Sequence, residues 1–178
     1  MGFFRSDSPC HRSPRCNRSA RRPGVTILEI ILVMPILVIL LMAIVEFGLI
    51  LANLKQIAVS SRVGSDTAAQ TPALPATGTV PANIVTAVQQ QLQSSGMSAC
   101  RIILVHNTSG STVTLVSDIG AGCTCTSPTT PALPASGKFV RLTVCLELTE
   151  LTPNLLGTLG FDISSRMAEE TTTMRYEL

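Results

Sequence analysis

Cysteines are the residues of this 178-residue chain whose spacing most clearly allows chemistry. Four of the six lie in the C-terminal half, at Cys100, Cys123, Cys125 and Cys145, and such thiols form disulfides in an oxidising compartment or bind metal. A bond between Cys123 and Cys125 would close a strained ring with one residue between them. We therefore expect each to pair with a separate partner, Cys100 or Cys145. The alternative is a metal site that includes His106, although structural zinc sites usually show C-x-x-C spacing.

No catalytic pattern accompanies the cysteines. His106 and Asp118 lie near each other in sequence, but no serine stands in a G-x-S-x-G elbow, and the chain lacks a P-loop, a dinucleotide glycine pattern and H-E-x-x-H. The sequence therefore predicts a protein that is not an enzyme, with no catalytic residue, cofactor or metal site. The aromatic residues after residue 52 are Phe139, Phe161 and Tyr176. These offer little for the base stacking on which single-strand binders depend, so no nucleic-acid partner is expected.

A long apolar stretch precedes the cysteines. The sixteen residues 30–45 carry no charge, and counting on to Ala52 gives twenty-three residues, about 35 Å as a helix against a hydrocarbon core of about 30 Å. Pro35 is compatible with a helix that spans a membrane. A secretory signal peptide is the competing interpretation, but the stretch exceeds the usual apolar core of roughly 7 to 15 residues and no A-x-A-like site follows it. The pattern predicts a single transmembrane helix.

The first 24 residues form a basic leader. They hold six arginines against one acid, Asp7, whereas residues 25–178 hold seven basic and ten acidic residues, so the net charge of +2 comes from the leader. Arginines beside an apolar helix stay on the cytoplasmic side. We therefore expect a protein of the cell's inner membrane with its N-terminus in the cytoplasm and its C-terminal domain outside. Cys10 and Cys16 would then be reduced, and the other four cysteines exposed to oxidation.

The junction between leader and apolar stretch resembles the processing site of type IV prepilins. It has basic residues, Gly24, four mostly apolar residues from Val25, then Glu29 and a long apolar helix. With Pro35 inside that helix and Glu-Phe-Gly at 46–48, the chain is similar to the TadE-like minor pilins, or pseudopilins, of the tight-adherence (Flp pilus) system. The end of the chain carries the same resemblance, in an alternating strand at 140–148, a loop with Pro and Leu at 151–156, and Met-Arg-Tyr-Glu at 174–177.

The resemblance implies a structural role and a set of partners. A membrane-bound prepilin peptidase would cut after Gly24, leaving Val25 as the new N-terminus, and we expect Pro23 and the arginines to keep that bond out of a helix. In a filament, Glu29 would pair with the free amine of a neighbouring subunit's residue 25. The implied partners are the membrane, the peptidase, other pilin or pseudopilin subunits and the pilus assembly machinery.

The rest of the chain predicts a small mixed domain. The apolar helix continues to Gln70 and frays near Gly64 and Ser65, since glycine lowers helix stability by about 1 kcal/mol relative to alanine. A helix at 83–95 ends at Gly96, and strands follow at 100–106, 111–117 and 138–148, the first two joined by a hairpin turn at 107–110. A last segment, 161–178, begins and ends as strand with a polar interruption at Glu169 and Glu170.

These elements predict an α+β, pilin-like fold in which a long N-terminal transmembrane helix precedes a small antiparallel sheet. We expect four parts: a basic cytoplasmic leader at 1–24, the transmembrane helix with its extramembrane extension at 25–70, a Pro-rich linker at 71–82, and a disulfide-stapled external domain at 83–178. The linker contains Leu-Pro-Ala-Thr-Gly, which fits a sortase signal, but neither an apolar span nor a basic tail follows it.

Two functional hypotheses remain. In the first, the chain is a pseudopilin processed after Gly24 that takes part in assembling a pilus. In the second, it is an uncleaved single-pass anchor that carries an external binding module. Glu29 discriminates between them. In an anchor, a carboxylate at the membrane edge costs little free energy and needs no partner, whereas in a filament the same carboxylate is buried among helices and needs a cation beside it.

Overall fold

The computed structural model describes residues 23–120, 123, 125, 132–154, 157, 160–164 and 166–176. The chain divides into two units, Met1–Leu37 and Val38–Leu178. The first helix, α1 (Pro23–Gln70), contributes to both units. The described part of the first unit is therefore helical, and the second contains the rest of α1 and all other described elements.

The environment of α1 changes along its length. From Ile27 to Leu51 most of its large apolar side chains are exposed, among them Leu41 at 62%. From Ile57 onward, one face is buried, and Ile57 and Ala68 are completely inaccessible. We call the first stretch the exposed apolar segment (residues 27–51), and its surface is of the kind that lipid or partner helices cover. The second stretch is covered by the chain's own sheet.

Four strands form one antiparallel sheet. They are β1 (Arg101–His106), β2 (Val113–Asp118), β3 (Phe139–Glu147) and β4 (Met167–Arg175), in the order β2-β1-β3-β4. The hairpin turn between β1 and β2 is closed by the Gly110 amide, which donates to the Asn107 carbonyl at 3.2 Å. A short 3-10 helix, Leu148–Glu150, follows β3. The predicted α+β architecture with a small antiparallel sheet is confirmed.

The second helix, α2 (Ala82–Gln93), lies between α1 and the sheet in sequence and ends near the predicted glycine. Gly96 has φ of +73°, a conformation that glycine adopts without steric cost. Its amide donates to Gln93 O at 3.0 Å and the Met97 amide donates to Leu92 O at 3.1 Å. This pair of bonds is a Schellman motif, so Gly96 stops the helix as expected.

The core lies between the two helices and one face of the sheet. Apolar residues at alternate positions of β1 and β3 point to the same face and pack with side chains of α1 and α2. The fully buried members of this cluster include Ile57, Ile84, Val88, Leu92, Ile102, Leu104, Val140, Leu142, Val144 and Leu146. The opposite face of β3 is also buried, although it carries Arg141 and Thr143; Arg141 Nε donates to Thr173 Oγ1 at 2.9 Å.

Polar contacts add to this packing by fastening α1 to the sheet domain. The Asn53 side-chain amide donates to the Leu151 carbonyl, and the Ser61 and Thr172 hydroxyl oxygens lie 2.6 Å apart. Residues 71–81, expected to be a linker, are irregular but not detached: Leu74 and Val80 are buried in the core, at 8% and 3% exposure. The connection between the helices therefore belongs to the packed domain.

Two local predictions were wrong. Helix α1 does not fray at Gly64 and Ser65 but continues to Gln70, because both residues lie against the core and Ser65 is completely buried. Glu169 and Glu170 do not interrupt the last strand either. They pair with Cys145 and Val144 of β3 in a continuous ladder, since the backbone bonds to a neighbouring strand outweigh the weak local preference of glutamate against strands.

Gly64 is expected to be intolerant of substitution. A Cβ at this position would come within 3.0 Å of Leu142 and Val88 side-chain atoms, and both residues are fully buried. Overpacking of this kind costs about 1–3 kcal/mol, more than the roughly 1 kcal/mol that alanine gains in helix propensity. We expect Gly64→Ala to lower the free energy of unfolding, measured in urea by the fluorescence of the single tyrosine, Tyr176.

Gly48→Ala in the same helix is the matched control, because an added Cβ there meets nothing within 4 Å. It should leave the urea midpoint unchanged or raise it. Equal urea midpoints for Gly64→Ala and Gly48→Ala would show that the close approach of Leu142 and Val88 to residue 64 does not affect stability.

Candidate functional site

The proposed processing segment lies at the start of α1. The helix begins at Pro23, so the bond between Gly24 and Val25 lies in the first helical turn, and the expectation that Pro23 would keep it outside a helix was wrong. Proline is favoured at a first helical position because its ring presets φ and its missing N–H would be unpaired there anyway. The first turn lacks intrahelical partners for its amides, so a peptidase has little structure to open.

Glu29 follows this turn at the beginning of the exposed apolar segment. It is exposed, as are Val33 and Leu37, which follow it along the same helix face at spacings of four and eight residues. A carboxylate on an apolar helical surface is unfavourable when helices cover it, unless a cation accompanies it. The geometry thus presents one negative charge at one end of a surface suited to helix packing or lipid.

The four cysteines in the described part of the chain form two disulfides, Cys100–Cys123 and Cys125–Cys145. Each member of the Cys-Thr-Cys sequence has a separate partner, as the sequence predicts. Arg101 reinforces the attachment, because its guanidinium donates to the Cys125 carbonyl and forms an ion pair with Asp118. The described residues 123 and 125 are thereby held on the sheet face opposite the helices.

The structure does not assemble the alternative metal site from cysteines and His106. Arg101 and Cys145 are register partners, and side chains along a strand alternate between faces, so His106 lies on the other face of the sheet. Glu169 does approach the disulfide, with its Oε1 2.8 Å from Cys125 Sγ. A disulfide sulfur carries no proton and is not a thiolate, so this contact is neither a donated hydrogen bond nor metal ligation.

His106 is a buried structural residue. It is completely inaccessible, with Nε2 3.0 Å from the Pro75 carbonyl oxygen and Nδ1 3.0 Å from Thr108 Oγ1. A carbonyl can only accept, so Nε2 carries a proton and donates. His106 is buried because the 71–81 connection folds over it and supplies the Pro75 carbonyl to its ring.

We expect His106→Ala to destabilise the domain without affecting its covalent processing. The change removes a fully buried side chain and the two hydrogen bonds that it makes with the half-buried Pro75 and Thr108, and each such bond contributes about 1 kcal/mol. Urea unfolding followed by Tyr176 fluorescence measures the loss. Thr108→Val is the control, because it removes the hydrogen bond to Nδ1 of His106 and keeps the bond from Nε2 to Pro75. Its loss of stability should be smaller than that of His106→Ala. An equal loss would show that the bond to Pro75 adds nothing.

A second feature, beside the exposed apolar segment, was missed by sequence reasoning. A groove of about 450 Å³ lies beside α1, and Phe161, Asp162 and Ile163 form its other wall. Glu46 lines the groove and is only 3% exposed. Asp162 accepts hydrogen bonds from the Ser164 amide and hydroxyl at 2.9 Å, which lower its pKa. The sequence of residues 160–164 holds no signal that would place it against a helix more than 100 positions earlier.

Within the described residues, the part of α1 from Ile27 to Gln70 has the length and the apolar composition needed to cross a membrane. This stretch includes the exposed apolar segment. It makes membrane association a property to expect of this chain, with α1 as the candidate span.

Comparison with known proteins identifies one match. A family model described as TadE-like protein matches residues 24–64. The matched segment contains Gly24, Glu29, Pro35 and Glu46 and ends at Gly64, where α1 is packed on the sheet. No curated protein and no solved structure matches the chain. Residues 24–64 thus confirm the resemblance to the TadE-like family, and the chain has the candidate membrane helix and the α+β fold with a small antiparallel sheet that the resemblance implies.

Proposed function

We propose that this protein is a pseudopilin of the TadE-like type that takes part in assembling a tight-adherence, or Flp-type, pilus, and that a prepilin peptidase processes it after Gly24. The observation that carries the proposal is the position of Glu29 at the start of the exposed apolar segment, inside the region that matches the family. The function is structural rather than enzymatic.

Charge pairing explains why processing and assembly would be linked. Cleavage after Gly24 creates a free amine on Val25, four residues before Glu29. When subunits pack through their apolar segments, an unpaired carboxylate among helices is costly, and an amine from a neighbouring subunit would offset that cost. The amine does not exist in the precursor, so only processed subunits would satisfy Glu29.

The exposed apolar segment would span the inner membrane before assembly. The leader arginines favour a cytoplasmic N-terminus, which places the sheet domain outside. Two disulfides suit that side, because disulfides persist in oxidising compartments. A domain of this size buries a modest fraction of its surface on folding, so covalent staples would supply stability that a small core lacks.

The uncleaved anchor is the second candidate, and one observation favours it. A groove of about 380 Å³ lies just beyond the end of α1, and its lining includes Lys138, Tyr176 and the hydroxyl residues Thr108 and Ser109. A groove with a cation and hydroxyls is able to bind a polar partner. An anchor that presents such a groove would have no need of processing.

The mass of the mature protein distinguishes the two candidates. We expect the wild-type chain, expressed with a matching prepilin peptidase, to lose residues 1–24 and begin at Val25, as read by intact-mass measurement and N-terminal peptide mapping. Expression without the peptidase is the control and should leave the full-length chain. A wild-type chain that is never shortened would favour the uncleaved anchor.

A further inference from the structure

The groove beside Glu46 joins the external domain to the exposed apolar segment of α1. Its helical wall includes Ile39, Ala43 and Ile50, and its other wall is formed by Phe161, Asp162 and Ile163. Phe161 is 68% exposed, although aromatic side chains of this size are mostly covered in soluble domains. A large apolar side chain therefore stands open beside a helix surface that is itself apolar and open.

The helical wall lies partly within the uncharged run. Ile39 and Ala43 belong to residues 30–45, which carry no charge, and Glu46 is the first charged residue after that run. From Ile39 to Ile50 the helix rises about 16 Å. If the uncharged run occupies the hydrocarbon core, the outer edge of the bilayer falls within this rise, and the loop that flanks it lies at the level of the lipid headgroups.

The conformation of the loop at 160–164, which we call the Phe161 loop, is determined by its own hydrogen bonds. Gly160 has φ of +91°, a backbone conformation that favours glycine. The Asp162 carboxylate accepts from the Ser164 amide, the Ser164 hydroxyl and the Asn154 side-chain amide, each at 2.9 Å. Ser164 within the loop and Asn154 outside it thus supply donors to the Asp162 carboxylate, while Phe161 next to it remains exposed.

We propose that the Phe161 loop is a second membrane contact of this protein, in which Phe161 rests in the interfacial layer of the outer leaflet beside α1. The ligand is the lipid bilayer. Apolar and aromatic side chains at the headgroup level bind by burying area while nearby polar groups stay hydrated, and Asp162, directly after Phe161, remains in the hydrated layer. The inference rests on the proposed membrane insertion of α1.

Before subunits assemble, lipid explains the exposure of the loop better than a second copy of the chain. A stable protein interface buries about 800 Å² on each partner, whereas one phenylalanine supplies at most roughly 200 Å². The apolar surface of the loop is small, but it is continuous with the exposed apolar segment through the groove. Lipid that surrounds that segment would reach Phe161 without any additional docking surface.

The chain contains no tryptophan, so single tryptophans report on position without background. We propose three full-length variants, Phe161→Trp in the loop, Leu41→Trp in the apolar segment and Ser109→Trp in the β1–β2 turn, each in phosphatidylcholine vesicles with or without brominated acyl chains. All three residues are exposed. Ser109 lines the groove next to Pro72, beyond the end of α1, and Gln70 is about 36 Å along the helix from Glu46.

We expect Phe161→Trp to show blue-shifted emission and to be quenched most by bromines near the headgroups. Leu41→Trp should be quenched most by bromines near the bilayer centre. Ser109→Trp should not be quenched by bromines at either depth.

Absence of quenching at residue 161 while residue 41 is quenched would overturn the inference and leave membrane insertion intact. Absence of quenching at both would overturn insertion as well. A blue shift at residue 161 that depends on protein density and not on lipid bromine would identify a second copy as the occupant and likewise overturn the inference.

Discussion

Replacing Gly24 by leucine is expected to abolish removal of residues 1–24, so that the protein accumulates as a longer precursor. The bond after Gly24 lies in the first turn of α1, and glycine leaves the backbone at the cleaved bond unobstructed and easy to deform. Leucine adds a side chain next to that bond and favours helix by about 1 kcal/mol over glycine. Gly24→Ala should slow cleavage without blocking it. Gel mobility and intact mass after co-expression with the peptidase read the result.

Glu29→Ala is the matched variant, because it changes the charge but not the cleaved bond. We expect it to be shortened like the wild type and to fail in assembly, whereas Gly24→Leu fails at both steps. Glu29→Gln keeps the volume and removes only the charge, so it should share the assembly defect. Normal assembly of Glu29→Gln would contradict the proposed charge pairing, and efficient cleavage of Gly24→Leu would contradict the proposed processing site.

Removing either disulfide should produce the second large effect. The two bonds close loops with sequence separations of 23 and 20 residues, for which the chain-entropy estimate is about 3 kcal/mol each. Entropy therefore does not distinguish them, but burial does: Cys125 and Cys145 are 1% and 0% exposed, against 9% for Cys100. Replacement of the buried pair by alanine also leaves a cavity, so Cys125→Ala/Cys145→Ala should cost more than Cys100→Ala/Cys123→Ala.

Urea unfolding of the detergent-solubilised protein, followed by Tyr176 fluorescence, measures both losses. With both disulfides removed, the summed cost of about 6 kcal/mol reaches the range of total stability of a small domain, and we expect an unfolded domain. Cys10→Ser/Cys16→Ser controls for loss of cysteine elsewhere and should leave the midpoint unchanged. Equal midpoints for the wild type and the buried-pair variant would contradict a stabilising role for the Cys125–Cys145 bond.

Features that depend on local patterns were predictable from the sequence alone. The uncharged run at 30–45 requires burial in lipid or among helices whatever the rest of the chain does, and a glycine after an amphipathic stretch stops a helix at Gly96. The hairpin at 107–110 follows from its turn residues. The disulfide partners could be narrowed because a Cys-x-Cys pair cannot bond to itself without strain, which is a covalent constraint independent of the fold.

Features that depend on distant contacts were decided only by the tertiary structure. Gly64 is helical because Leu142 and Val88 close over it, and Glu169 is in a strand because β3 pairs with it. His106 is buried because Pro75, thirty-one positions earlier, supplies a carbonyl to its ring. Each local preference involved is worth about 1 kcal/mol or less, which packing and ladder hydrogen bonds readily exceed.

The functional segments divide in the same way. The roles proposed for Gly24 and Glu29 could be derived from the sequence because they depend on spacing along a single helix. The position of Phe161 beside α1 was not, because more than 100 residues separate the loop from the helix and the contact depends on how the sheet packs against residues 57–69. The sequence by itself determined a long apolar helix that is a candidate membrane span and cysteines able to staple the domain after it, whereas the three-dimensional packing decided which part of that domain returns to the helix.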